Sequence, residues 1–174
     1  MNFSKIGRRG LSSLFPKDAI GVELGVAQGH FSDALLASNN VQRLFSIDRW
    51  LDHHNDSEYV KACKLLAKHK TRSIVMRSSF SDVLCLFPES YFDFIYIDAY
   101  AHTGQEDGTI LHEWYPKLKI GGIFSGHDYD NRSWPKTVKA VDSFANSVGK
   151  NIEVIPGVDT TKWQDRYPSW YFIK

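Results

Sequence analysis

The chain has 174 residues, of which 43% are hydrophobic and 24% are charged, and its formal net charge is +1. We expect one domain with a substantial core over residues 1–174, with residues 1–17 as a basic lead-in. The near-zero net charge argues against nucleic acid and anionic membranes as partners. No apolar run is long enough to span a membrane, and none follows the basic N-terminal residues as in a secretory signal.

The two cysteines, Cys63 and Cys85, lie in apolar helical patterns, and we expect both thiols to be buried. Two buried thiols in a chain without a recognisable signal peptide indicate a reducing compartment. The sequence therefore predicts a cytoplasmic location.

The first predicted strand begins at Ile20 and runs into a turn bounded by Gly25 and Gly29, after which a helix begins at His30. This order is typical of nucleotide sites, because glycine lets a ligand approach the backbone and a helix start leaves N–H groups free. A tight turn without a ligand is the structural alternative.

Two residues of this segment indicate which ligand it binds. The acid Glu23, just before the first glycine, disfavours an anion and suits a cationic or amino-bearing ligand, which favours S-adenosylmethionine (SAM). Ala27 stands where a dinucleotide-binding turn has its middle glycine, and this difference argues against NAD.

The second and third predicted strands also end in polar residues. Arg43–Ile47 is followed by Asp48, about 20 residues beyond the glycine turn, where a carboxylate binds ribose hydroxyls. An aspartate that only stabilises a turn is the alternative. Ser73–Arg77 is followed by Ser79, which either caps the next helix or borders an adenine.

The fourth predicted strand, Tyr91–Ile97, is almost continuously apolar, as expected for a central parallel strand buried on both faces. It ends at Asp98, and a loop containing His102 and a helix to about Leu118 follow. The remaining predicted elements are a turn over 119–122, a strand over 123–125 with His127 and Asp128 after it, a helix over 135–148, and strands over 152–155 and 169–173.

This alternation of strands and helices predicts a doubly wound parallel α/β sheet with helices on both faces. Ligands of such folds bind outside the carboxyl ends of the strands. Four acids end or follow four different strands and should meet at that edge: Glu23, Asp48, Asp98 and Asp128. Core packing gives no reason for this placement, whereas a shared ligand does.

Four segments and the C-terminal strand together resemble class I SAM-dependent methyltransferases, and within them the small-molecule O-methyltransferases that include macrolide-sugar methylating enzymes. The segments are Val22–Gly29, Ser46–Asp48, Tyr96–His102, Trp114–Tyr129 and Ser169–Ile173. The resemblance implies a Rossmann-like, mostly parallel sheet of seven strands, whose last strand is antiparallel and lies beside the fifth.

The resemblance also implies the site residues. The methionine part of SAM would lie against Glu23, Gly25 and Gly29, the ribose against Asp48, and the adenine near Ser79, with Gln28 and Asp98 also beside the cofactor. Many relatives hold Mg²⁺ with acids at the positions of Asp98 and Asp128. Tyr129 stands where metal-dependent relatives have a third ligand, so the sequence leaves the metal open.

The expected reaction is in-line attack of a substrate oxygen on the methyl group of SAM. His102 is the first candidate for the general base and His127 the second, with Asp98 beside them. With Mg²⁺ bound, the metal would lower the pKa of the hydroxyl and leave histidine an orienting role. Either histidine could instead anchor its loop.

The connection before the last strand should leave from the ligand side, where Trp163, Arg166 and Tyr167 would cover the acceptor or form a dimer contact. Because few residues lie outside the core fold, we expect a small acceptor such as a sugar hydroxyl. Nitrogen as the acceptor atom and a homo-oligomer both remain open. A partner-dependent or non-catalytic SAM-fold protein and an NAD-dependent oxidoreductase are the alternative functions.

Overall fold

A computed structural model of the chain describes residues 3–51, 54–158 and 165–174. Its centre is a seven-stranded sheet with the order β3-β2-β1-β4-β5-β7-β6. The strands are β1 (Ala19–Leu24), β2 (Val41–Asp48), β3 (Ser73–Arg77), β4 (Phe92–Ile97), β5 (Leu118–Gly126), β6 (Glu153–Ile155) and β7 (Ser169–Ile173). None of the helices in the described ranges has the length and apolar character needed to cross a membrane.

The strand directions confirm the predicted topology. β1 through β5 pair in parallel, whereas β7 runs antiparallel between β5 and β6. Because β6 is also antiparallel to β7, it points the same way as β5. The predicted doubly wound sheet with an inserted antiparallel last strand is therefore correct.

Helices cover both faces of the sheet. They are α1 (Phe3–Ile6), α2 (His30–Leu36), α3 (Asp56–Leu66), α4 (Phe80–Leu84), α5 (Gly104–Asp107), α6 (Thr109–Trp114) and α7 (Pro135–Ser147). Residues of α4, α6 and α7 pack on one face, in a core that contains Trp114, Phe124 and Phe144. Leu11 and Phe15 of the lead-in pack with α2 on the other face. The basic lead-in is thus part of the fold, and its 3₁₀ helix Gly7–Ser13 reaches the carboxyl edge of the sheet.

Two of the predicted helices differ from the structure. The helix that the sequence predicts from Glu58 to Lys70 is an α-helix over Asp56–Leu66 and continues as a 3₁₀ helix, Ala67–Arg72. The helix expected after the His102 loop is broken into α5 and α6, since Gln105 and Glu106 have positive φ angles of 54°. Residues with backbone in this region interrupt a regular helix, and sequence periodicity does not reveal them.

The fifth strand and the cysteines also differ from expectation. Residues 119–122, predicted as a turn, belong to β5, whose register with β4 shifts between Phe92 and Phe94. Cys85 is exposed and Cys63 only half-buried, so the prediction of two buried thiols was wrong. Cys85 is the C-cap residue just after the last residue of α4, and its side chain is exposed there.

Candidate functional site

The acids of the first, second and fourth strands lie at one edge, because these strands are neighbours in the sheet. Glu23 pairs in register with Ser46 of β2 and with Tyr96 of β4. Two backbone hydrogen bonds continue the pairing past the strand ends, from Gly25 N–H to the Ile47 carbonyl (2.9 Å) and from Asp98 N–H to the Leu24 carbonyl (2.7 Å). Glu23, Asp48 and Asp98 therefore converge at one edge of the sheet, as the parallel strand order predicts.

The glycine turn between β1 and α2 requires glycine at both ends. Gly25 has a φ of +93°, and a Cβ there would lie 2.2 Å from the Asp98 carbonyl oxygen. Gly29 has a φ of +82°, and a Cβ there would lie 3.2 Å from Ala62 Cα. Any side chain at Gly25 would push the turn away from the end of β4, so this glycine fixes the distance between two parts of the site.

Asp48 shapes the same turn from the end of β2. Its Oδ2 accepts hydrogen bonds from Val26 N–H (2.8 Å) and Ala27 N–H (3.0 Å), and its Oδ1 accepts one from Trp50 N–H (2.8 Å). A carboxylate has about four acceptor positions, so one position is left for a ligand hydroxyl. The turn-stabilising role and the predicted ribose-binding role are thus both open to this residue.

Glu23 is buried below the turn, with 1% of its surface exposed. The Ser32 hydroxyl donates a hydrogen bond to its carboxyl, and Ser32 Oγ lies 2.9 Å from Ser46 Oγ. Burial outweighs this hydrogen bond and raises the pKa of Glu23 to about 8. Glu23 therefore holds a proton at neutral pH unless a positive charge arrives beside it.

Asp98 is the centre of a charged cluster at the end of β4. The Arg8 guanidinium, 5% exposed, donates from Nη1 to Asp98 Oδ2 at 2.6 Å. His127 Nδ1 lies 3.3 Å from Asp98 Oδ1 and 3.2 Å from Asp128 Oδ1. Both carboxylate oxygens of Asp98 therefore face a basic side chain.

These contacts determine the charges of the cluster. Burial favours the neutral form of Asp98, but the positive charges of His127 and Arg8 outweigh it and hold the pKa of the carboxyl well below its usual value. Burial disfavours a charged His127, yet attraction to Asp98 prevails and raises the pKa of the imidazole. His127 Nε2 also lies 3.1 Å from the Tyr167 carbonyl oxygen. With both nitrogens directed at oxygen atoms, His127 has no nitrogen left to accept a substrate proton.

His102, the other candidate base, has a different environment. It lies in the 3₁₀ turn Ala101–Thr103 and its side chain is exposed. The centroid of its ring lies 4.7 Å from that of Trp134. The Trp134 ring is 5.8 Å from the Tyr167 ring, and the Tyr167 ring is 6.4 Å from the His127 ring. We call His102, Trp134, Tyr167 and His127 the aromatic row. It joins the loop after β4, the start of α7 and the segment before β7.

The segment before β7 is described only in part. Trp163, expected to cover the acceptor, lies outside the described residues. Tyr167 belongs to the aromatic row, whereas Arg166 is exposed and its guanidinium lies 5.9 Å from the Tyr167 ring centroid.

Gln28, on the glycine turn, donates a hydrogen bond to Glu58 Oε1 at 3.3 Å and so connects the turn to α3.

An open cleft lies where β2, β3 and β4 end. Its lining includes Arg49, Ser79, Phe80, Tyr100, Glu106 and Ile110. Ser79 caps α4 by accepting a hydrogen bond from Asp82 N–H at 3.2 Å, and the Phe80 and Tyr100 rings are 5.6 Å apart. Both roles considered for Ser79, capping and bordering a ligand, are compatible with this position.

The two residues considered for Mg²⁺, Asp98 and Asp128, both contact the His127 imidazole, and Asp98 also contacts Arg8, so they form a poor site for that ion. Asp98, His127 and Asp128 each direct a potential ligand atom to one place, with these atoms within 4.8 Å of one another. One of the three is an imidazole nitrogen, whereas Mg²⁺ prefers oxygen ligands. Arg8 already compensates the charge of Asp98. Basic side chains therefore take the positions around Asp98 that a metal ion would need.

Arg8 is the site residue that sequence reasoning missed. The lead-in is basic, but nothing in its local sequence indicates that one of its arginines reaches Asp98, which is 90 residues away. The only available clue is the sequence Gly7-Arg-Arg-Gly10, in which glycines bracket the arginine pair. A Cβ at Gly7 would lie 2.5 Å from Val158 Cγ2, so this segment packs too closely on the chain for a larger residue.

A family model described as a methyltransferase domain matches residues 20–129 of the chain. These residues run from β1 through the cluster at the end of β5. No curated protein matches the chain in sequence.

Solved structures resemble the chain in fold. Precorrin 8W decarboxylase of Methanobacterium thermoautotrophicum has a TM-score of 0.68 at 18% identity, over 95% of this chain and 86% of that one. Spermidine synthase of Thermotoga maritima has a TM-score of 0.69 at 17% identity, over 99% and 59%. An O-methyltransferase of Bacillus cereus, in complex with SAH, has a TM-score of 0.63 at 17% identity, over 90% and 74%. Their different names show that this fold alone does not determine the reaction.

Proposed function

The chain belongs to the methyltransferase-domain family, whose model covers residues 20–129, and from this premise we propose that it is a SAM-dependent methyltransferase acting on a hydroxyl of a small molecule such as a sugar. The observation that carries the proposal is the meeting of Glu23, Asp48 and Asp98 around the turn bounded by Gly25 and Gly29. SAM carries a sulfonium and an ammonium group, and an acidic edge suits both.

We assign each part of SAM to a separate part of the site. The glycine turn and Glu23 would hold the methionine part, and the remaining acceptor position of Asp48 would take a ribose hydroxyl. The cleft lined by Ser79, Phe80 and Tyr100 would take the adenine, because it combines polar groups with aromatic rings at the ends of adjoining strands. A cationic ligand beside Glu23 would favour loss of its proton, since opposite charge stabilises the ionised form.

We propose His102 as the general base. Its exposed ring lies in the turn that follows β4 and Asp98, 4.7 Å from the Trp134 ring. Both nitrogens of His127 are directed at oxygen atoms, so His127 is not the base. When bound, SAM supplies an electrophilic methyl group, whose bond to sulfur breaks as the bond to the acceptor oxygen forms. His102 would remove the hydroxyl proton in that step, and His127 would hold Asp98 and Asp128 in place.

The aromatic row supports a small, ring-containing acceptor. Pockets for small molecules are lined mainly by apolar and aromatic groups, with a few polar groups that fix orientation. Trp134 and Tyr167 would provide the wall and His102 the polar group.

A transfer assay tests the proposal. The purified chain is incubated with SAM labelled in its methyl group and a panel of sugars, phenols and amines, and label in the acceptor is measured with SAH release. We expect transfer to a hydroxyl-bearing acceptor. Transfer only to amines would refute the O-methyl assignment, and bound SAM without transfer to any acceptor would favour a non-catalytic or partner-dependent protein. Oxidation of an acceptor with NAD would refute the methyltransferase assignment.

A further inference from the structure

Arg8 is held at the end of β4 by several contacts. Its Nη1 donates to Asp98 Oδ2 (2.6 Å) and lies 3.3 Å from the Tyr96 hydroxyl, while its Nε donates to Asp165 Oδ1 (3.1 Å). The guanidinium carbon lies 4.5 Å from the centroid of the Phe31 ring. The side chain is 5% exposed. These partners come from β4, α2 and the segment before β7, so the position of Arg8 is set by three parts of the fold.

Arg8 therefore lies beside the cluster in which a divalent cation would have to bind. Ligand atoms of Asp98, His127 and Asp128 lie within 4.8 Å of one another, which is compact enough for one ion. An ion there would share the Asp98 carboxylate with a permanent positive charge 2.6 Å from one of its oxygens. At such distances repulsion between two cations is strong in a partly buried site.

The neighbouring arginine, Arg9, is bound to Asp165. Arg9 donates to Asp165 Oδ2 from Nε (3.1 Å) and contacts the same oxygen from Nη2 (2.9 Å). Its side chain is 42% exposed. Arg9 secures Asp165, which in turn holds Arg8, and it provides a matched control of the same residue type one position away.

We propose that the Arg8 guanidinium occupies the place of a divalent cation at Asp98, fixes the orientation of that carboxylate and keeps metal ions out of the Asp98–His127–Asp128 cluster. Arg8 is then a positioning residue that acts through Asp98, and the site works without a metal. The statement that the site works without a metal rests on the proposed methyl transfer. The exclusion of cations does not, because it can be measured in a protein that methylates nothing.

Titration with Mn²⁺, followed by the electron paramagnetic resonance signal of the free ion, tests the proposal. Mn²⁺ is the appropriate probe because carboxylates suit it as ligands and the signal of the free ion decreases when the ion binds. We expect the full chain and Arg9→Gln to bind Mn²⁺ weakly, and Arg8→Gln to bind one ion at least about tenfold more tightly. Arg8→Lys, which keeps the charge, should remain weak. Adding Asp98→Asn to Arg8→Gln should abolish the gain.

Two results would overturn the proposal. The first is tight Mn²⁺ binding by the unmodified chain that Asp98→Asn removes, since the ion would then displace Arg8. The second is a folded Arg8→Gln variant, checked by circular dichroism, with no higher affinity than Arg9→Gln. If Arg8→Gln does not fold, Arg8→Met keeps the packing on Phe31 and is judged by the same criterion, while the unmodified chain still provides the first test. Methyl transfer in EDTA is a separate readout, whose loss would contradict the metal-free site alone.

Discussion

At the scale of single residues, burial and neighbouring charge decide what each acid of the site can do. Glu23 and Asp98 both lie at the carboxyl edge. Burial raises the pKa of Glu23 to about 8, whereas His127 and Arg8 hold the pKa of Asp98 below its usual value. The two carboxyls thus differ in charge at neutral pH. Such a difference between neighbouring titratable groups is frequent at functional sites.

Glu23→Gln should change the pH dependence of stability. The carboxyl of an unfolded chain titrates near 4.5 and that of the folded chain near 8, so between these values the native state holds a proton that the unfolded state has lost. Stability then falls as the pH rises through this window, by up to about 1.4 kcal/mol per pH unit. Above pH 8 the contribution is constant.

Glutamine removes this slope, so the stability of Glu23→Gln relative to the unmodified chain should increase from pH 5 to pH 8. Urea unfolding at each pH unit measures the difference, and other titrating groups cancel in the comparison. Identical pH slopes for the two proteins would show that Glu23 is ionised in the native state.

His102→Ala should lower turnover by about 10²- to 10⁴-fold, the usual contribution of a general base, and leave SAM affinity unchanged. Turnover is measured with the acceptor found in the transfer assay, and SAM affinity by calorimetry. His112→Ala, on the exposed side of α6, is the control and should behave like the unmodified chain. Reduced SAM affinity with normal turnover would contradict the assignment of His102.

The acids at the strand ends could be predicted from the sequence, because parallel strands bring their carboxyl ends to one edge. The partners of these acids could not. Arg8 reaches Asp98 and Asp165 across 90 and 157 residues of sequence, and the contact depends on how the lead-in packs on the sheet. The engagement of both His127 nitrogens likewise depends on the Tyr167 carbonyl, 40 residues away.

At the scale of elements, the turn between β1 and α2 is held from the adjacent strand. Asp48 receives three backbone N–H groups, two of them from the turn itself, and Trp50 Nε1 donates to the Ala27 carbonyl at 2.8 Å. Trp50 is 1% exposed and packs in a cluster with Val26 and Ala62. The turn is therefore shaped by β2 before any ligand binds.

Asp48→Asn should disturb this turn. An amide keeps only one acceptor oxygen and places an NH₂ group against a backbone N–H, which costs about 1–3 kcal/mol when the groups are buried. We expect lower stability in urea unfolding together with weaker SAM binding. Asp82→Asn, exposed in the first turn of α4, is the control and should change stability by less than about 0.5 kcal/mol. An Asp48→Asn protein of unchanged stability and affinity would contradict both roles of Asp48.

Strands were more predictable than helices for a physical reason. A buried parallel strand such as β4 is an apolar run whose limits are visible in the sequence, and Ser73–Arg77 and Ser169–Ile173 have the predicted bounds. The region between β4 and β5 depends on backbone conformations at Tyr100, Gln105 and Glu106, all with positive φ. Such residues are uncommon outside glycine, and no periodic pattern marks them.

At the scale of the whole molecule, a layer of helices packs on each face of the sheet, and the site lies along the carboxyl edge between them. One layer contains α4, α6 and α7, and the other contains α2 and the lead-in. The lead-in contributes both to the core, through Leu11, and to the site, through Arg8. Folding and site assembly are therefore coupled, and a ligand that binds this edge should stabilise the entire domain.

Calorimetric titration with SAM in the presence of EDTA tests the central claim most directly, because that claim is that the acidic carboxyl edge binds a cationic methyl donor without a metal. NAD and Mg²⁺ are titrated separately under matched conditions. We predict one SAM bound per chain with micromolar affinity, no effect of EDTA and no heat with NAD. A chain that binds NAD and not SAM, or that binds SAM only when Mg²⁺ is added, would contradict the account.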